Sequence, residues 1–346
     1  MAVISSGTIM SSPNKKNLKD KVVVITGAGA GVGRAISHAF AKQGAYLGII
    51  SRNKERLLDL KKELQQYHRK VLAIPLDVAN ANEVEKAAVL IEKELGPIYV
   101  WINNAMVSVF SPVKEMTPDE YKRVTEVTYL GVVYGTLAAL KRMLPRNDGM
   151  IIQVGSALAY RGIPLQSAYC AAKHAVQGFH DSLLTELLHE KAKVKVTMVQ
   201  LPALNTPQFD WARSKMPNRS KPVPPIFQPE VAANAILWAT QHYRREYIVG
   251  FPSWKAIYGN NFFPSLADKF LAKVGYKAQQ TNEPKEIDEP DNLFESVPGS
   301  FGAHGRFDKI AKKRSVFFLF TKYRVAIYFF LLFIILIFLL IKMIDK

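Results

Sequence analysis

VVVITGAGAGVG, residues 22–33, runs directly into a helix-like stretch at residues 34–43. The apolar and β-branched residues that open it show no polar alternation, the pattern of a strand buried on both faces. The glycines that follow allow a turn tight enough for backbone N–H groups to reach a phosphate. The helix beyond them turns its positive N-terminal end toward that charge. Strand, glycine turn and helix in this order is the setting a dinucleotide-binding loop requires. The spacing here is TGxxxGxG, through Thr26, Gly27, Gly31 and Gly33. Val32 stands where the stricter GxGxxG spacing would place its last glycine.

Working outward, the same alternation continues to about residue 250. Short apolar runs at 22–26, 46–50, 71–76, 98–103, 150–155, 194–201 and 247–250 are separated by helical patterns at 54–68, 82–95, 118–144, 168–189 and 229–242. Nearly continuous apolar strands between helices specify a parallel sheet covered on both faces. The expected fold is therefore α/β, a Rossmann-type doubly wound parallel sheet over residues 21–250. Residues 1–20 are polar and read as a flexible N-terminal segment. Residues 205–228 are rich in proline and read as a long irregular loop. Residues 251–315 read as a linker-like extension, aromatic at first, then acidic, polar and mobile between 279 and 292.

The far end differs. Residues 325–341 form an unbroken apolar run of 17 residues. As a helix it would cover about 25 Å, and flanking lysines extend it to a thin bilayer. A transmembrane helix is expected at 325–344. Lys309, Lys312, Lys313, Arg314, Lys322 and Arg324 precede the run, while Lys342 and Lys346 follow it. The positive-inside rule then places the large domain on the cytoplasmic side of the membrane.

A formal charge of +17, from 46 Lys and Arg against 29 Asp and Glu, invites a nucleic-acid reading. The basic residues are scattered, however, and no zinc-finger, basic-zipper or ribonucleoprotein motif accompanies them, so no nucleic-acid partner is expected. The single cysteine, Cys170, excludes a disulfide framework and a cysteine-rich metal site. No metal is expected.

Two further clusters carry chemistry. At the end of the second strand, where a carboxylate would bind the ribose of NAD, the chain has Ser51, Arg52 and Asn53. An arginine there suits a 2′-phosphate, which points to NADP(H). Tyr169 and Lys173 stand four apart on one helix face, so an ammonium can draw the phenol toward its ionised form and fit it for proton transfer. Ser156 lies 13 residues earlier, at the carboxyl end of an apolar strand, where ligands bind in open α/β sheets.

Taken together, Thr26 to Gly33, Asp77, the Asn103-Asn104-Ala105 turn, Ser156, and Tyr169 with Lys173 resemble the short-chain dehydrogenase/reductase superfamily, classical type, over about residues 20–250. The resemblance implies catalytic roles for Ser156, Tyr169 and Lys173. Tyr169 would be the acid/base, Lys173 would tune it and hold the nicotinamide ribose, and Ser156 would orient the substrate oxygen. It also implies cofactor contacts from Thr26, Gly27, Gly31, Gly33, Ser51, Arg52, Asp77, Val78, Asn104, Tyr169, Lys173 and Thr206, and assembly as a homodimer or homotetramer. Three positions depart from the family pattern. Met106 and Ala203 replace usual glycines, and Thr128 replaces an asparagine that supports the lysine's proton relay. The implied activity is a membrane-anchored oxidoreductase passing hydride between NADP(H) and a carbonyl or secondary alcohol of a small, lipophilic substrate. A catalytically quiet dinucleotide sensor or scaffold is the alternative.

Overall fold

A computed structural model of the chain describes residues 17–286 and 289–324, together with Phe333, Ile334 and Ile337. The first half alternates strictly. Strand β1 (Val22–Thr26) leads to α1 (Gly31–Lys42), β2 (Tyr46–Ser51) to α2 (Lys54–Leu64), β3 (Val71–Pro75) to α3 (Ala81–Leu95), and then comes β4 (Ile98–Asn103). A short β5 (Val109–Phe110) precedes α4 (Pro118–Thr125) and α5 (Gly131–Arg146), then β6 (Met150–Ser156), α6 (Ser167–His189) and β7 (Lys195–Leu201). After these come the one-turn α7 (Gln208–Trp211), β8 (Arg213–Ser214), β9 (Asn218–Ser220), α8 (Pro229–Gln241) and β10 (Glu246–Ile248). Beyond residue 250 lie α9 (Phe251–Phe262), α10 (Pro264–Ala278) and β11 (Gln280–Pro284).

Seven strands form one parallel sheet in the order β10-β7-β6-β4-β1-β2-β3. Alternate residues of β1 face opposite layers, as a strand period of two requires. Val23 and Ile25 pack with Ile36, Phe40, Ala232 and Ile236 of α1 and α8. Val22 and Val24 pack with Ile91, Ala138 and Leu183 of α3, α5 and α6. The order reverses between β1 and β4, and the carboxyl edge at that switch is where such a sheet opens a crevice.

Several expectations change. Leu18, in the segment expected to be flexible, is only 2% exposed and joins the core, while residues 1–16 lie outside the described residues. The helix expected at 118–144 is three pieces, because a π-helical turn at Glu126–Leu130 separates α4 from α5. The helix expected at 54–68 stops at Leu64 and closes with a 3-10 turn, Gln65–Tyr67. The loop expected at 205–228 contains α7 and two short strands, which pair with β5 and β11.

The largest correction concerns residues 251–315. The stretch is not a linker. Pro252 and Pro264 start α9 and α10, where a missing N–H costs nothing. Residues 280–284, expected to be mobile, form β11 against β9. The apolar run at 325–341 falls outside the described residues save for Phe333, Ile334 and Ile337. Among the described residues no helix is long and apolar enough to cross a membrane.

Candidate active site

The glycine loop is locked from behind. The Thr26 hydroxyl accepts the amides of Asn104 (3.0 Å) and Ala105 (3.1 Å), and the Asn104 side-chain amide donates to the Thr26 carbonyl at 2.9 Å. Thr26 is 2% exposed, so it positions the loop and does not face the cleft. Gly33 also acts at a distance from the opening. A Cβ there would stand 2.1 Å from the Gly27 carbonyl oxygen, and only glycine lets α1 approach the turn this closely. Gly27 and Gly31 hold positive φ, 66° and 57°, which the tight turn demands.

In front of the loop is a cleft lined by Gly27, Gly31, Ser51, Arg52, Asp77, Val78, Asn104 and Thr206. Eight of the twelve residues expected to bind cofactor thus share one cavity. Its chemistry suits a dinucleotide. The Ser51 hydroxyl is buried with no hydrogen-bond partner among the described residues. The Arg52 guanidinium is close by, its pKa lowered by burial. The Asp77 carboxylate accepts the Ala79 amide at 3.0 Å and forms an ion pair with Arg123.

Sequence reasoning missed a second cation in this cleft. Arg56 lies in the first turn of α2, four residues after Arg52, is 5% exposed, and has its pKa pushed down to about 10, mainly by burial and then by the neighbouring charges of Arg34 and Arg52. No helical spacing pointed to it, because Arg52 precedes the N-cap of α2.

The catalytic candidates meet at the end of β6. Ser156 is the last residue of that strand, and its hydroxyl accepts the Leu158 amide at 3.2 Å. The Tyr169 hydroxyl, from the first turn of α6, lies beside this serine and feels its influence. One turn on, the buried Lys173 ammonium donates to the Val154 carbonyl at 2.6 Å and sits 5.7 Å from the centre of the Tyr169 ring. Three side chains from β6 and α6 therefore converge as the sequence indicated.

The expected tuning of Tyr169 is not what the structure shows. Burial raises the phenol above its ordinary value, and the neighbouring Ser156 hydroxyl opposes this. The lysine is itself depressed to about 8 by burial, and its proton is directed at the Val154 carbonyl.

Thr128 is fully buried in the π-helical turn. Its hydroxyl accepts the Val107 amide at 3.1 Å and donates to the Val107 carbonyl at 3.0 Å. It thus ties the kinked helix to the segment after β4. With its donor and acceptor both engaged, the side chain serves as a staple. Asn103 is likewise structural, accepting from the Trp101 indole (2.8 Å) and donating to Thr136 and Gln153, each at 3.0 Å.

Residues 21–217 match the family model of the short chain dehydrogenases. The uncharacterized oxidoreductase YxnA of Bacillus subtilis (strain 168) is 33% identical over 288 residues, covering 82% of this chain and 80% of its own. The 3-dehydrosphinganine reductase of Danio rerio is 30% identical, over 65% of this chain and 70% of its own. Among solved structures, the alcohol dehydrogenase of the archaeon Thermococcus sibiricus, complexed with 5-hydroxy-NADP, superimposes with a TM-score of 0.57 at 26% identity. The match covers 66% of this chain and 95% of that one.

Proposed function

The chain belongs to the short-chain dehydrogenase family, and from that premise we propose that it is a membrane-associated, NADP(H)-dependent oxidoreductase of a lipophilic ketone or secondary alcohol. The observation that carries this reading is the convergence of Ser156, Tyr169 and Lys173 at the carboxyl edge of the sheet, beside a cleft with glycine turns and two arginines. Arg52 and Arg56 supply the cations that a 2′-phosphate needs and that an unphosphorylated ribose does not. The cofactor, when bound, supplies or accepts the hydride. Ser156 holds the substrate oxygen by hydrogen bonding. Tyr169 passes it a proton or takes one away, and Lys173 lies one turn behind to stabilise the phenolate.

The lipophilic substrate is supported by the surface next to this site. α9 packs against the turn that follows Ser156, and the Asn260 amide donates to the Tyr160 carbonyl at 3.1 Å. On the outside of α9 and α10 stand Phe262, Phe263, Leu266 and Phe270, each more than 60% exposed, next to exposed Lys255, Lys269 and Lys273. An apolar face bordered by lysines is the composition of a surface resting in a bilayer interface. The apolar run at 325–341 is the anchor we assign to the same membrane. The relative named for 3-dehydrosphinganine reduction acts on a long-chain ketone, which agrees with this reading.

The test is NADPH oxidation over a series of ketones of rising chain length, with wild type and Tyr169→Phe compared. Turnover should favour the long chains and fall about 10²–10⁴-fold in the variant, the range for loss of a general acid, with NADPH affinity unchanged. Tight NADPH binding without any Tyr169-dependent turnover would instead make the chain a dinucleotide sensor.

A further inference from the structure

Residues 291–307 run back across the dinucleotide cleft as a strap, and the strap's backbone carbonyls occupy the donors that phosphate groups would use. Arg52 donates to the carbonyls of Leu293 (3.3 Å) and Phe294 (2.7 Å). Arg56 donates to those of Gly299 (2.8 Å) and Val297. The amide of Gly31, at the N-terminus of α1, donates to the Gly302 carbonyl at 3.1 Å. Each of these is a group that a helix N-terminus or a cationic side chain would offer to a pyrophosphate or 2′-phosphate.

Side chains complete the closure. Leu293 has no exposed surface and joins the apolar cluster that contains Leu76 and Val78, on the wall of the cleft beside Asp77. Its carbonyl also accepts from Arg123, the ion-pair partner of Asp77. Phe301 stacks edge-on against Trp211 at 4.6 Å, and the Arg56 guanidinium lies 4.6 Å from each ring. The free space left in the cleft is about 180 Å³. Even drug-sized ligands occupy pockets of roughly 300–1,000 Å³. With the strap in place, the donors that would hold the phosphate groups are already engaged.

We infer that this strap is an intramolecular competitor of the cofactor, closing the cleft until it swings outward to admit the dinucleotide. The inference rests on the NADP(H) reading of the same cleft. Its attachment is suited to release. Between residues 292 and 302 it is held mostly through its own main-chain carbonyls, with Leu293 and Val297 as buried apolar anchors and Gly299 and Gly302 to let the backbone change course, while ion pairs of Asp291 with Arg213 and of Arg306 with Asp210 pin its two ends. A site open for only a fraction of the time binds with its intrinsic affinity reduced by that fraction.

Stopped-flow measurement of NADPH emission on the full chain tests this. In the wild type the association rate should level off as NADPH is raised, because opening comes before binding. In Leu293→Ser/Phe301→Ala the plateau should rise at least tenfold, and the apparent affinity should tighten. The amplitude of the signal reports cofactor binding and its rate reports the strap, so failures of the two readings are distinguishable. A second measurement needs no variant: chymotryptic cleavage within the wild-type strap should be faster with NADPH present. Protection of the strap by NADPH, or weaker binding in the double variant, would overturn the inference and make the segment a clamp over bound cofactor.

Discussion

Lys173 holds its charge where solvent does not reach, and this has a cost that pH reveals. Burial depresses it to about 8, below the value of roughly 10.4 for an unfolded lysine. Between those values the unfolded chain binds the extra proton, so stability rises with pH there. Below pH 8 the penalty is fully present. Lys173→Met removes it at every pH. In urea titrations the variant's stability relative to wild type should be most favourable at pH 7 and decline by pH 10, with a change of up to about 3 kcal/mol. A difference that stays constant with pH would show that Lys173 is not a desolvated cation. At this scale the sequence was a good guide to identity and a poor one to state. Spacing indicated Ser156, Tyr169 and Lys173 only in company with the glycine loop and the apolar strand that precede them. The phenol's raised pKa depends on how deeply α6 buries it, which no spacing reports.

Among the elements, the break between α4 and α5 shows where periodicity fails. Apolar residues continue in helical register from 118 to 144, yet one extra residue per turn at Glu126–Leu130 shifts the face that Thr128 presents. The hydroxyl that then bonds both backbone groups of Val107 holds the kink. Thr128→Val keeps the shape and leaves a buried amide and carbonyl without that partner, so it should cost about 1–3 kcal/mol in chemical denaturation. Loss of activity without loss of stability would mean that the threonine has a chemical role after all. The helices of residues 251–278 were missed for a different reason. The exposed aromatics of α9 follow no strong amphipathic pattern, and the prolines at the first turns of α9 and α10 were the signal passed over. The strap has even less to show, because its contacts are made by carbonyl groups that every residue carries.

For the molecule as a whole, the parallel sheet was legible because buried strands lack polar alternation and glycine turns punctuate them. The layout of the surface was not, since it depends on which helix faces remain uncovered. That surface can be tested as a unit. Phe262→Ser/Phe263→Ser/Phe270→Ser should raise KM for a long-chain ketone delivered in lipid vesicles by about tenfold, the equivalent of ~1.4 kcal/mol. KM for a short, water-soluble ketone should not move. Equal effects on both would assign the aromatic face to folding and not to the membrane.

The strand order also carries a history. After β1, β2 and β3 have paired, β4 adds beside β1, β6 beside β4, β7 beside β6 and β10 beside β7. Each strand leaving the ribosome therefore finds its neighbour already made, so a topology of long-range pairings, slow to form from a complete chain, can assemble during synthesis. The strap follows β10 by about forty residues, a delay of roughly 2–8 s at ordinary translation rates. A newborn molecule thus has its glycine loop, Arg52 and Arg56 uncovered before the segment that closes over them exists, and a dinucleotide that binds in this interval meets no competition.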